Sequence, residues 1–367
     1  MYAPQGFYGQ QGLLGGTLVE VGERSTSWMP SGGTERTVTV VLTLRFDMRV
    51  PDWAGPAAAH YSAVSDMCEW AETRGAPLTV LSEHHGATDG HLPTPLMLAS
   101  AVAARTRNMA ILLAAVPLPL WDPVRLAEEI SVLDLISRGR VSYVFGVGHR
   151  AEEYAHFGVD MAARGRLADE YLRVLMALLR GEAVEFRGRQ VRVTPLCTSP
   201  NGPGLMIAGG SKAAVRRAAA HGLGFISQID QPELRTYYEE QCAKMGQTPG
   251  FVQFPVPASP TVVFVADDVD QAWEQLGPHL LHDAAMAASY RHGDDSVASI
   301  TRAETVAELR VDGGPYRILT PTAATEFVRE GRALPLHPLC GGIDPEVAWP
   351  YLRSAVAAHQ QAEMAHG

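Results

Sequence analysis

The chain has 367 residues, 46% of them hydrophobic and 19% charged, with a formal net charge of -10. That length suits one barrel domain with insertions, and the ordinary apolar content argues against disorder over most of it. The negative charge, and arginines placed beside acids as in Arg125-Leu126-Ala127-Glu128-Glu129, argue against a nucleic-acid partner.

Cys68, Cys197, Cys242 and Cys340 lie far apart with no CxxC spacing. This fits reduced thiols of a cytoplasmic protein better than a disulfide framework or a zinc site. The apolar stretch 109–120 is too short to cross a bilayer and contains Pro117 and Pro119. The N-terminus lacks a basic start followed by an apolar run, so neither a membrane nor a secretory route is expected.

Residues 1–37 are rich in Gly, Gln, Ser and Pro without sustained periodicity, and read as a poorly ordered extension outside the barrel. Regular patterning starts at Val38. A β-branched strand over 37–50 is followed by a helix over 56–75, with Val64, Met67, Cys68 and Ala71 on one face. A short buried strand over 77–83, a polar loop, a helix over 96–105 and a strand over 109–116 come next. Asp122-Pro123 opens another helix, with proline just inside its first turn, and 141–148 forms the fourth strand. A helix over 165–179, a strand over 205–210 and a helix over 211–221 continue the alternation. After them come a strand over 224–228, a helix over 233–245, a strand over 260–266 and a helix over 269–289. The last unit, from about Leu334, supplies the eighth strand and its helix.

Eight strand–helix units joined by short loops mean parallel strands and favour a closed (β/α)8 TIM barrel, an α/β fold, with one domain over 38–367. Two stretches interrupt the rhythm. Residues 186–203 read as a short hairpin or irregular excursion, and 290–321 as a long polar loop placed as a lid.

In such a barrel the active site lies in the loops after the strands. After the second strand, Glu83-His84-His85 offers histidines able to exchange a proton near neutral pH, although histidines that merely pack at the surface would read alike. His84, His85 and His91 stand at i, i+1 and i+7, which is not HExxH, and no metal is expected. Ala114-Ala115 ends the third strand with small side chains, which serve as core or as a bed for a flat ligand. Gly209-Gly210-Ser211 closes a strand and opens a helix, as a phosphate cradle or as a plain turn capped by Ser211. Neither this string nor Gly146-Val147-Gly148-His149-Arg150-Ala151 completes a dinucleotide fingerprint, so a Rossmann-type nicotinamide site is not supported.

The ordered set of loops resembles the bacterial luciferase-like monooxygenase superfamily from about Val38 to the C-terminus, fading only in 290–321. The resemblance is carried by EHH at 83–85, PVRLAEEISVLDLISRGR at 123–140, EEYAHFGVD with RGRLADE at 152–170, and LMIAGGSK at 205–212. It implies reduced FMN at the barrel mouth, O2 as co-substrate, a small organic substrate and a separate flavin reductase. His84 falls where luciferases place a catalytic histidine, with Glu83 and His85 beside it. Ala114-Ala115 falls where the family often has a non-prolyl cis peptide under the flavin ring, and Gly209, Gly210 and Ser211 match the phosphate loop. The chain departs from luciferase in having glycines where that loop carries an acid and hydroxyls, and Gly146 and Val147 where the fourth strand carries cysteine and arginine. Arg150 or Arg164 would then supply the cation, with Gly146 and Gly148 lining the cofactor.

Three functions follow from the resemblance. The leading one is an FMNH2-dependent monooxygenase. The second keeps the barrel but uses the deazaflavin coenzyme F-420 for hydride transfer without oxygen, and the third is a non-catalytic flavin-binding protein. No strand-end lysine suggests a Schiff-base aldolase. A homodimer through the helices at 56–75 and 123–137 is also expected.

Overall fold

The computed structural model describes residues 17–20, 36–39, 42–199, 202–256, 259–291, 297, 300–311 and 314–364. Most of the N-terminal extension and parts of the 290–321 segment lie outside the described residues. Within the extension, Thr17–Glu20 and Arg36–Thr39 pair antiparallel, apart from the main sheet.

The main sheet has ten strands: β1 (Leu42–Phe46), β2 (Leu78–Leu81), β3 (Ala110–Pro117), β4 (Val141–Gly146), β5 (Gly204–Ala208), β6 (Gly224–Ile226), β7 (Val252–Gln253), β8 (Val262–Val265), β9 (Tyr316–Leu319) and β10 (Leu334–Leu336). Their order is β7-β6-β5-β4-β3-β2-β1-β10-β8-β9, and every described pairing is parallel. The fold is the α/β barrel expected from the alternation.

Side-chain alternation explains why these segments become strands of a barrel. Leu42, Leu44 and Phe46 of β1 are fully buried with Ile111, Leu113, Tyr143 and Phe145 against the helices. The opposite faces supply a separate inner cluster of Leu78, Val80, Leu112, Val144, Met206 and Ile226. Two apolar compartments, one on each face of a parallel sheet, are what a barrel with an outer ring of helices requires.

The helices are α1 (Ala57–Glu72), α2 (Pro95–Arg105), α3 (Pro123–Ser137), α4 (Ala151–His156), α5 (Arg164–Leu179), α6 (Lys212–Ala220), α7 (Glu233–Lys244), α8 (Val269–Ser289), α9 (Val306–Leu309), α10 (Pro321–Arg329) and α11 (Pro345–Met364). α3 begins as its sequence dictates. The Asp122 carboxylate accepts from the amides of Val124 and Arg125, and Pro123 occupies the first turn, where its missing N–H costs nothing.

The structure departs from the sequence reading in four places. The first sheet strand is only Leu42–Phe46, because Arg36–Thr39 pairs with Thr17–Glu20 instead. Residues 290–321 are not one loop. They contain α9 and the buried strand β9, whose Tyr-Arg-Ile-Leu alternation is short and follows Gly314-Pro315. β7, two residues among prolines, and the six-residue α4 were also not anticipated, being too short to show a period.

α8 does not run simply outside the barrel. His279 Nδ1 lies 2.9 Å from the Gly341 carbonyl, and His282 Nε2 3.1 Å from Asp89 Oδ2. Asp283 Oδ1 lies 3.4 Å from Arg49 Nε. These partners belong to the loops after β10, β2 and β1, so the helix straps across the C-terminal ends of those strands. The approach is close enough that a Cβ on Gly341 would lie 2.1 Å from the His279 carbonyl oxygen.

Candidate active site

The loop after β2 carries Glu83, His84 and His85, and the three do different work. Glu83 is buried, and its Oε1 accepts from His85 Nε2 and Trp121 Nε1, each at 2.9 Å. Burial pushes its carboxyl up, against the pull of the His85 hydrogen bond. His85 is thereby turned toward Glu83, with its ring 4.7 Å from that of Phe157. His84 is the most exposed of the set, at 22% against 11% and 0% for the side chains of His85 and Glu83.

His84 Nδ1 lies 2.8 Å from Glu153 Oε1, on α4. The same oxygen accepts from the amide of His85 at 2.9 Å and from Arg150 Nη1 at 3.0 Å. Burial pushes the Glu153 carboxyl up, but the hydrogen bonds from His84 and His85 and the Arg150 charge outweigh it and hold it at about 2. A carboxylate only accepts, so the His84 proton sits on Nδ1 and Nε2 is left as the basic nitrogen. Burial drives the His84 imidazole below its ordinary value against the pull of Glu153, which favours the neutral ring.

Around His84 stand His91, His149 and Tyr290, with ring centroids at 4.7, 5.7 and 4.9 Å. Burial and the Arg49 charge push His91 well below the usual histidine range, and Ser82 Oγ meets its Nε2 at 3.1 Å. Burial and the Arg291 charge bring His149 down to about 4. Two guanidinium groups approach the Tyr290 ring, Arg150 at 3.8 Å and Arg49 at 4.9 Å from its centroid. Arg49 also binds Asp47 at 3.2 Å and Asp89 at 2.7 Å. Asp283, His337 and Cys340 bring potential metal-ligand atoms within 4.8 Å of one another. Asp283 is already taken by Tyr316 Oη at 2.7 Å and by Arg49, which makes this a buried polar network.

Next to β2, Ala114, Ala115, Gly146, Gly148, Ala208 and Gly209 are half-buried at the ends of three adjacent strands. The Ala114-Ala115 peptide bond is cis, at the point where the β3–β4 register shifts. This wall of small side chains leaves room for a flat ring, and its residues fit a flavin. Gly148 has φ +69°, and a Cβ there would meet the Tyr154 ring at 3.4 Å; the Tyr154 hydroxyl donates to the Val147 carbonyl.

After β5, Gly210 and Ser211 are exposed, and Ser211 Oγ caps α6 by accepting from the Ala214 amide at 3.3 Å. Gly209 has φ +157°, and a Cβ there would sit 2.7 Å from Ala214 Cβ. At Gly210 it would sit 2.6 Å from Ile229 Cδ1. Close packing therefore accounts for both glycines whatever they bind.

Of the two arginines considered for the phosphate, Arg150 is turned to the β2 loop and occupied by Glu153, the His85 carbonyl at 3.0 Å and the Tyr290 ring. Arg164 is half-buried at the start of α5, with Nη1 donating to the Met161 carbonyl at 3.0 Å. The sequence reading missed Glu153, Tyr290 and Arg49. The i, i+3 spacing of Arg150 and Glu153 on one helix face was the available signal for the first.

Comparison with known proteins agrees with this architecture. The luciferase-like monooxygenase family matches residues 44–329, and the chain belongs to that family. It is 27% identical over 161 residues to the alkanal monooxygenase alpha chain of Photorhabdus luminescens, covering 42% of this chain and 44% of that one. The chain spans half or less of the length of the curated relatives it matches first. Among solved structures it is similar to the monooxygenase RslO1 of Streptomyces bottropensis, with a TM-score of 0.67, 21% identity and coverage of 87% of this chain and 98% of that one. It is also similar to the oxygenating constituent of 3,6-diketocamphane monooxygenase of Pseudomonas putida, a type II Baeyer-Villiger monooxygenase in complex with FMN. There the TM-score is 0.66 and the identity 17%, covering 88% of this chain and 99% of that one. No helix among the described residues is long and apolar enough to cross a membrane.

Proposed function

We propose that the chain is the oxygenase of a two-component system, binding reduced FMN at the barrel mouth and using O2 to oxidise a small organic substrate. The observation that carries this reading is the His84–Glu153 pair, which leaves a neutral imidazole with a basic Nε2 beside a wall of small strand-end residues. Ala114, Ala115, Gly146 and Gly148 would bed the ring, and the amides from Gly210 and Ser211 into the first turn of α6 would hold the phosphate, with Arg164 as the cation; the Gly209 amide is taken by the Ile226 carbonyl. When bound, reduced FMN supplies the electrons that activate oxygen. His84 takes up or returns a proton at Nε2, Glu153 fixes its tautomer, and Tyr290 with α8 shields that nitrogen from bulk water. A cavity of about 280 Å³, lined by Gly86, Ala87, Thr88, Arg150, Met286 and Tyr290 among others, is assigned as the substrate's approach.

A separate reductase is assigned because the FMN-bound structural relative is itself described as an oxygenating constituent. The exposed Val132, Leu135 and Ile136 on α3 support a homodimer. The reading is tested by titrating the protein with FMN and with deazaflavin, then measuring oxygen uptake with a generic flavin reductase. FMN binding, with substrate oxidation above the reductase-only background that falls about 10²-fold or more in His84→Ala, supports it. Turnover unchanged in that variant would remove the catalytic assignment of His84, and FMN binding by wild type without turnover would indicate a flavin carrier. Binding of deazaflavin alone would move the protein to hydride transfer.

A further inference from the structure

We infer that Arg45 is an anion-recognition residue inside the barrel, built to hold a planar, delocalised anionic group of the bound ligand. The inference rests on the proposed use of this mouth and names a chemistry that the reading leaves open.

Arg45 is set by strand alternation. Leu44 and Phe46 on either side of it are fully buried in the outer core, so Arg45 faces the opposite way, into the bore. Its register partner on β2 is Val80, a member of the inner cluster with Leu78, Leu112, Val144, Met206 and Ile226. A guanidinium thus projects, half-buried, into a compartment lined mostly by aliphatic side chains, with Thr43 and Ser142 as hydroxyl-bearing residues in register with Leu78 and Leu112 on the same face.

Among the described residues it makes no hydrogen bond or ion pair, and its charge is felt by His91, Tyr316 and Cys340. Its neighbours at the mouth differ. Arg49 is consumed by Asp47, Asp89, Asp283 and Tyr290, and Arg150 by Glu153 and the His85 carbonyl. A guanidinium only partly hydrated and without an internal acceptor has donors to spare, and it presents them as a flat fork matched to carboxylate-like groups. The partner is therefore supplied by the ligand.

That group has two sources with one chemistry. It is either a carboxylate on the organic substrate or the anionic edge of the reduced flavin ring, which the oxidised ring lacks.

The test compares wild type with Arg45→Met and Arg45→Lys. Oxidised and reduced FMN are titrated anaerobically. The protein carrying oxidised FMN is then titrated with benzoate and octanoate beside benzamide and octanamide. A preference for reduced over oxidised FMN that falls about ten- to a hundred-fold in the Met variant assigns the flavin edge. An acid-over-amide preference that falls likewise, with both FMN affinities unchanged, assigns the substrate carboxylate. The Lys variant retains part of either preference, since it keeps the charge and loses the fork. The melting temperature of Arg45→Met is expected to equal or exceed that of wild type, because no internal partner is lost. A wild type with neither preference, a Met variant that keeps both, or a Met variant that melts lower overturns the inference. Failure of wild type to bind oxidised FMN would instead sink the proposed function, and the acid and amide titrations on the unliganded protein would still be readable.

Discussion

His84 Nδ1 and Glu153 Oε1 are 2.8 Å apart, although 69 positions separate the two residues in the chain. The contact joins the loop after β2 to the helix after β4, and the same oxygen ties down the His85 amide and Arg150. Glu153 is thus a positioning residue, acting through the imidazole it orients. Replacing it by Gln keeps an acceptor for Nδ1 but removes the charge, and replacing it by Ala removes both. The expected result is a fall in kcat of about tenfold for Glu153→Gln and about 10²-fold or more for Glu153→Ala, with little change in FMN affinity. Turnover and flavin titrations on the folded variants check this. Equal losses in kcat and in FMN affinity would show a role in holding the site together and no more.

The histidines at the mouth give stability a pH dependence with a definite sign. His149 is held at about 4 by burial and the Arg291 charge, against an ordinary value of 6.5, so the unfolded chain binds that proton more readily than the folded one. Stability from this group is complete above about 6.5 and is lost as the pH falls toward 4. His84, also lowered by burial, acts in the same direction. Glu153 works at lower pH. Its contribution is present above the ordinary carboxylate value of 4.5 and disappears as the pH falls through about 2. Melting curves between pH 4 and 7 are expected to slope downward on acidification, and His149→Asn to flatten them. A wild-type melting temperature that is level across that interval contradicts the assignment.

How much of this was legible in the sequence depends on the range of the interaction. Barrel strands and helices such as α1, α3 and α8 declared themselves, because a dozen or more periodic residues and local caps such as Asp122-Pro123 act within a few positions. β7 and β9 did not, since two and four residues carry too little period to outweigh the prolines and glycines around them. The EHH loop stood out as chemistry, but which histidine faces the mouth was decided by Glu83 taking His85, with Glu83 itself held by Trp121 across 38 positions. Arg150 read equally well as a phosphate ligand, and only packing against Tyr290 and Glu153 turned it elsewhere. Local patterns fixed the scaffold, while the charges were allotted by contacts that no local pattern encodes.

The excursion between α5 and β5 is pinned to α3 by one buried carboxylate. Asp134 Oδ2 accepts from the Thr198 amide at 2.7 Å, the Ser199 amide at 3.2 Å and Thr198 Oγ1 at 3.3 Å. Removing it leaves two amides to find other partners, at a cost of about 2–3 kcal/mol. Asp134→Ala should lower the melting temperature and expose residues 194–199 to limited proteolysis, while leaving FMN affinity close to wild type. Unaltered proteolysis at that segment would show that other contacts hold it without Asp134.

The phosphate assignment at the end of β5 has its own discriminating substitution. A Cβ at Gly209 would stand 2.7 Å from Ala214 Cβ, and neither atom can rotate away, so the first turn of α6 must move for alanine to fit. That turn carries the free amides of Lys212 and Ala213, and a displacement spoils the convergence on an anion that a helix N-terminus provides. Gly209→Ala is therefore expected to weaken FMN about tenfold or more while leaving riboflavin, which lacks the phosphate, almost unchanged. Gly210→Ala meets the Ile229 side chain, at Cδ1 2.6 Å and Cγ1 2.8 Å, with no atom of α6 nearer, and should weaken FMN less. If FMN and riboflavin weaken together at Gly209, the ring and not the phosphate lies over this turn. If neither changes, the anion is held elsewhere and Arg164 must be tested in its place.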